Sequence, residues 1–126
     1  MKRYDPDKAP DPAGWLAGDE ARRIELVSSY HRRAGVRLPS LRGHSTLHVI
    51  VENQLATAEA AVVETLERLQ GEGLTRHAAV HAIGSVLLEH LNWLMQEAEA
   101  PSDVEPNARY FKRLERLTAA GWLAGI

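Results

Sequence analysis

The stretch "TRHAAVHAIGSVLLEHLNWLMQEA", residues 75 to 98, places apolar side chains at Val80, Ile83, Leu87, Leu91 and Leu94. Spacings of three and four return to one side of an α-helix every turn, so the pattern predicts a long amphipathic helix. Thr75 stands where a hydroxyl caps the first turn, and Pro101 follows just past the end. The same periodicity recurs on both sides of this segment. It predicts a helix from about Asp19 to Ala34 on Ile24, Val27 and Tyr30, with Asp19 as cap and Gly35 as stop. Another runs from Leu41 to about Ala58 on Leu47, Ile50, Val51 and Leu55, after a connector "VRLPS" whose Pro39 and Ser40 suit a helix start. A shorter one covers Ala60 to Gln70, after a turn near Thr57 and before the "GEG" stop. The last spans Pro106 to about Ala119 and carries Tyr110, Phe111, Leu114 and Leu117. No segment alternates with period two. The expected fold is all-α: a small antiparallel bundle of about five helices in one domain over residues 1–126. Its first 18 residues, with Pro6, Pro10 and Pro12, read as an extended arm that Tyr4 and Trp15 pin by burying their rings.

With 126 residues the chain is long enough for one real core. A net charge of −2 argues against a dedicated nucleic-acid binder, which is usually strongly basic. There is no cysteine, so disulfides, iron–sulfur clusters and thiolate zinc sites are excluded. Any metal must be held by histidine and carboxylate. The start "MKRYDPDKAPDPAGW" lacks an apolar h-region, and no apolar run nears membrane-spanning length. The expectation is a cytoplasmic protein with no membrane partner.

Two histidine pairs disturb otherwise apolar helix faces: His44 with His48, in "GHSTLHVIVENQL" (residues 43–55), and His77 with His81. Residues four apart differ by about 40° around a helix. Measured from Leu47, His44 lies at about 60°, His48 at about 100° and Glu52 at about 140°; measured from Val80, His77 and His81 fall at the same about 60° and 100°. Each pair therefore flanks its helix's core face on the same side, and packing the two helices lets the pairs converge. Imidazoles at i and i+4 share one ion readily. Glu52 adds a hard oxygen by phase. Glu89, about 80° beyond His81, reaches only with help from a helix bend. The expected metal ligands are His44, His48, Glu52, His77, His81 and Glu89. Nitrogen with carboxylate suits zinc, iron, nickel or manganese, as one ion or two. The competing structural reading is of half-buried histidines bonded to carbonyls or carboxylates. His31, in "YHRRAG", reads as a cation at a helix C-terminus, and His90 as a surface or capping residue.

The segments "HSTLHVIVENQLA" and "GLTRHAAVHAIGSVLLEH" resemble an uncharacterised bacterial family of small helical proteins. Its pattern, His-x3-His-x3-Glu-x-Gln and then His-x3-His with a glutamate eight residues on, falls on His44, His48, Glu52, Gln54, His77, His81 and Glu89. The likeness covers roughly residues 40 to 90, implies the same ligand list, and carries no activity with it. A looser likeness is to hemerythrin-type bundles, which join His-x3-Glu to His-x3-His around two irons. The closing His-x4-Asp of that type is missing here, since Met95 stands five residues after His90. Helical hydrolases with a three-histidine single-metal site are a further analogue. In a catalytic version, metal-bound water is the nucleophile and Glu52 or Glu89 the base. The substrate stays unknown at this level.

Two other functions compete. The outline "ETLERLQGEGLTRHAAVHAIGSV" is that of a helix–turn–helix, but Arg76 is the only fixed cation on the would-be recognition helix, so nucleic acid is an unlikely partner. Trp15, Trp93 and Trp122 suit an interaction module and a homodimer. Trp15 and Trp122 lie in two copies of "AGWLAG", at 13–18 and 120–125, which read as aromatic plugs near the chain ends.

Overall fold

The computed structural model describes residues 3–35, 40–99 and 103–124, and these are all-helical, with no strand among them. The helices are α1 (Pro12–Ala17), α2 (Glu20–Arg33), α3 (Leu41–Ala56), α4 (Ala60–Gly71), α5 (Arg76–Glu99), α6 (Pro106–Arg116) and α7 (Ala119–Leu123). Pro39 and Pro101, expected to bracket helices, lie outside the described residues.

Local chemistry accounts for the boundaries. The Asp19 carboxylate accepts from the Arg22 N–H, the Ser40 hydroxyl from Gly43 and the Thr75 hydroxyl from Ala78, satisfying N–H groups that a first turn leaves orphaned. The turn near Thr57 is real: Ala58 sits at φ 56°, left-handed backbone that no helix continues through. Gly73, at φ 108°, reverses the chain between α4 and α5.

Two expectations need correction. The first 18 residues are not extended throughout, because Pro12–Ala17 is helical, with the Asp11 side chain accepting from the Gly14 N–H. Arg23 reaches back to the Trp15, Leu16 and Gly18 carbonyls and holds the far end of that helix. The final helix stops at Arg116, and Thr118 then caps the separate α7 by accepting from Gly121. Among the described residues seven helices thus replace about five. Both additions take in part of the repeated "AGWLAG", residues 13–17 in α1 and 120–123 in α7, and at each the capping oxygen stands three residues before the glycine it bonds. Trp15 is buried and donates to the Asn53 side chain, whereas Trp122 is half-buried against the larger core.

That larger core joins α3, α4, α5 and α6 through residues such as Val51, Leu69, Ile83 and Leu114. A smaller one joins the N-terminal segment, α2 and α3 through Tyr4, Trp15, Val27 and Val49. α3 contributes to both, and it also packs on α5. Between α2 and α3 the buried Ser28 hydroxyl donates to Ser45 at 2.8 Å, and these small side chains let the backbones approach closely. This packing brings the histidine faces of α2, α3 and α5 together.

Candidate metal centre

Five imidazoles meet where α2, α3 and α5 pack. The His81 Nε2 lies 2.7 Å from that of His48, 3.1 Å from that of His44 and 3.0 Å from that of His77. The His44 Nε2 is also 3.1 Å from the Nε2 of His31. One nitrogen from each of His31, His44, His48 and His81 falls within 4.8 Å of all the others, a grouping that can hold a metal ion.

Hydrogen bonds alone do not explain these contacts. A neutral imidazole nitrogen has either one proton or one lone pair in the ring plane. The His81 Nε2 can therefore satisfy at most one of its three nitrogen neighbours. The other ring nitrogens narrow the choice further. His31 has its Nδ1 2.8 Å from the Val27 carbonyl, which only accepts, so Nδ1 carries the proton and Nε2 of the neutral ring is bare. The His48 Nδ1 is 3.1 Å from the Tyr4 hydroxyl, whose single proton goes to Glu52 Oε2 at 2.5 Å. The Tyr4 oxygen thus accepts from His48 Nδ1–H, which leaves the His48 Nε2 lone pair facing the cluster.

The electrostatics point the same way. Burial first, and then the neighbouring imidazoles, push His44 down to about 4 and His81 to about 3, and lower His48 further still. His77 is lowered by burial and by His31, with Asp7 and Asp5 opposing. Each ring is easier to keep neutral than to charge, and a neutral imidazole is the form that ligates metal.

Both expected carboxylates are directed elsewhere. Glu52, 1% exposed, is gripped by Arg76 at 2.7 and 2.8 Å through both oxygens and receives the Tyr4 proton as well. It supports His48 through Tyr4, one bond removed from the nitrogens that converge. Arg76 also donates to the Pro6 carbonyl, and the Asp7 carboxylate accepts from the His77 N–H, so the N-terminal segment closes over this side of the site. The same bonds bury the lone cation of the helix–turn–helix reading. Glu89 pairs with Arg109 and Arg113 of α6, both at 2.7 Å. Its bonding partners are on α6, and helical phase already set it apart from His81.

Neither His31 nor His90 has the role expected of it. His31 is 0% exposed and joins the cluster; the legible signal was its position one turn after Val27 on the buried face of α2. Its neighbours Arg32 and Arg33 obscured that signal. His90 is buried instead of lying at the surface, stacked between Trp93 and Tyr110 with Arg109 3.2 Å from its Nδ1. Trp93 carries the Arg109 guanidinium 4.4 Å from its ring centre, so it faces α6.

The fold and the cluster together describe an all-helical protein with a polyhistidine centre that can accept a metal. No protein-family model, curated protein or solved structure matches the chain. No helix among the described residues is long and apolar enough to cross a membrane.

Proposed function

We infer that this is a transition-metal-binding protein in which His31, His44, His48 and His81 hold one divalent ion, with His77 beside them against His81. The observation that carries the reading is the crowding of three imidazole nitrogens around the His81 Nε2, a contact set that a central cation satisfies and hydrogen bonding does not. Imidazole ligands suit zinc, iron, nickel and copper(II); with both carboxylates tied to arginines, manganese fits less well. The lack of a carboxylate bridge also favours a single ion over a di-iron pair. With metal–nitrogen bonds of about 2.0–2.1 Å, neighbouring ligands stand about 2.9–3.0 Å apart around an octahedral ion and about 3.3–3.4 Å around a tetrahedral one. The contacts of 2.7–3.1 Å match the higher coordination number, which leaves room at the ion beyond the imidazoles.

Elemental analysis of the purified chain tests the reading. One equivalent of a transition metal is expected, lost in His48→Ala and His81→Ala and retained in His90→Ala. A native protein that takes up no such metal, even when offered each in turn, overturns it.

A further inference from the structure

A cavity of about 210 Å³ borders the cluster. His44, His48 and His81 line it, and Leu47, Val80, Leu88 and Trp122 supply most of the remaining wall. No arginine or lysine is among its lining residues. The Ser85 hydroxyl, also in the wall, is already donating to the Ala82 carbonyl. A second hollow, about 690 Å³, shares His44, Leu47 and Leu88 with the first and continues over Ile50 and Leu91, with Ser40, Arg42 and Thr46 also in its wall. The imidazoles therefore open onto a channel whose wall next to them is mostly hydrocarbon and which widens away from them.

We propose that this channel binds a medium-chain aliphatic anion, with its carboxylate on the metal and its tail along Leu47, Val80, Leu88 and Trp122. The proposal rests on the metal reading above. Imidazole ligands bring no charge of their own and leave a divalent ion with its whole charge, since Glu52 and Glu89 are neutralised by arginines. A half-buried dication calls for a counter-anion. No carboxylate lines the cavity beside His44, His48 and His81, and most of its wall is apolar. A head that is anionic and a tail that is hydrocarbon satisfy both surfaces at once. The smaller cavity has room for about seven water-sized groups, and the second hollow accepts the rest of a longer chain.

The full chain loaded with cobalt(II) reports the event, because the visible d–d spectrum responds to a change in coordination. Titration with sodium octanoate and with sodium acetate is expected to shift that spectrum, with octanoate acting at a concentration at least about tenfold lower, the effect of burying roughly two methylene groups. A Cβ at Gly84 meets only the Leu47 Cβ, at 3.9 Å, an ordinary contact, so Gly84→Ala fits the helix and adds a methyl group at a residue that lines the cavity. It should leave cobalt uptake and the acetate response intact and reduce the chain-length preference. Leu88 is 48% exposed, so Leu88→Gln keeps the fold and should cut the preference several-fold. Equal potency of the two anions, no spectral response to either, or a preference unmoved by both variants overturns the proposal while cobalt binding stands. Failure of cobalt to bind, or binding that survives His81→Ala, overturns the metal reading and this proposal with it.

Discussion

α5 carries histidines toward both of its ends, and they meet opposite surroundings. Near its start, His77 and His81 meet other imidazoles, with the Tyr4–Glu52–Arg76 chain behind His48 and Tyr30 and Asp7 beside His77. Near its end, His90 lies between two aromatic rings with a guanidinium at its Nδ1, and Glu89 beside it is occupied by two arginines. The residue types are alike. In the first region more nitrogens converge than their single protons and lone pairs can pair. In the second every polar atom named has a fixed counterpart, and the result is a structural clasp between α5 and α6. A metal site is marked by what its nitrogens lack as much as by the nitrogens themselves.

The comparison breaks most directly at its two histidines. His81→Ala removes the nitrogen that touches three others and should weaken metal affinity by more than about 100-fold, read by competition with a chromophoric chelator. His90→Ala should leave that affinity within about twofold. If both variants lose metal equally, the two regions are not distinct.

The support behind His48 should show up next. Glu52→Gln leaves the buried Arg76 without its ionic partner, and unpairing a buried ion pair costs about 3–5 kcal/mol. Chemical denaturation of the metal-free chain measures it. A loss below about 1 kcal/mol would mean that water reaches this pair. Tyr4→Phe keeps the ring packing and removes only the hydroxyl between His48 and Glu52, so metal affinity should fall about tenfold with little change in fold stability.

Acid should loosen the imidazole cluster. His44 and His81 are held at about 4 and about 3 in the folded chain, below the ordinary histidine value near 6.5. The unfolded state therefore binds more protons in that window, and stability rises with pH there. Metal-free protein should keep its full stability above about pH 6.5 and lose it progressively as pH falls toward 4 and then 3. Thermal melts across that range in a chelating buffer check this. The slope should shrink when His44 and His81 are both changed to Gln.

The smallest effect belongs to Glu89→Gln. Its carboxylate is 43% exposed, so loss of its two arginine pairs should change stability by no more than about 1 kcal/mol and metal affinity not measurably. A large drop in metal content would place Glu89 among the ligands and dissolve the contrast between the two ends of α5.

Periodicity made most of the fold legible. Apolar residues at three-and-four spacing define α2 to α5 within the local chain, and side-chain oxygens three residues ahead of the N–H they bond mark the starts of α2, α3 and α5, so a reading of the sequence recovers them. The same reading joined α6 and α7 into one helix, because Leu117 keeps the apolar phase while the Thr118 cap interrupts the backbone. The pairs His44/His48 and His77/His81 were legible for the same reason, since i and i+4 share a helix face.

What the sequence determined by itself is which side chains share each helix face, because that depends on a fixed rotation per residue. Which faces meet was left to tertiary packing. His31 joins the cluster because α2 packs closely on α3 through Ser28 and Ser45. Glu52 turns from expected ligand to support because Arg76, 24 residues away, arrives from α5 to neutralise it. Glu89 is taken by α6. A carboxylate binds the nearest buried cation, and how near a cation lies is a property of the packed chain, not of spacing along one helix.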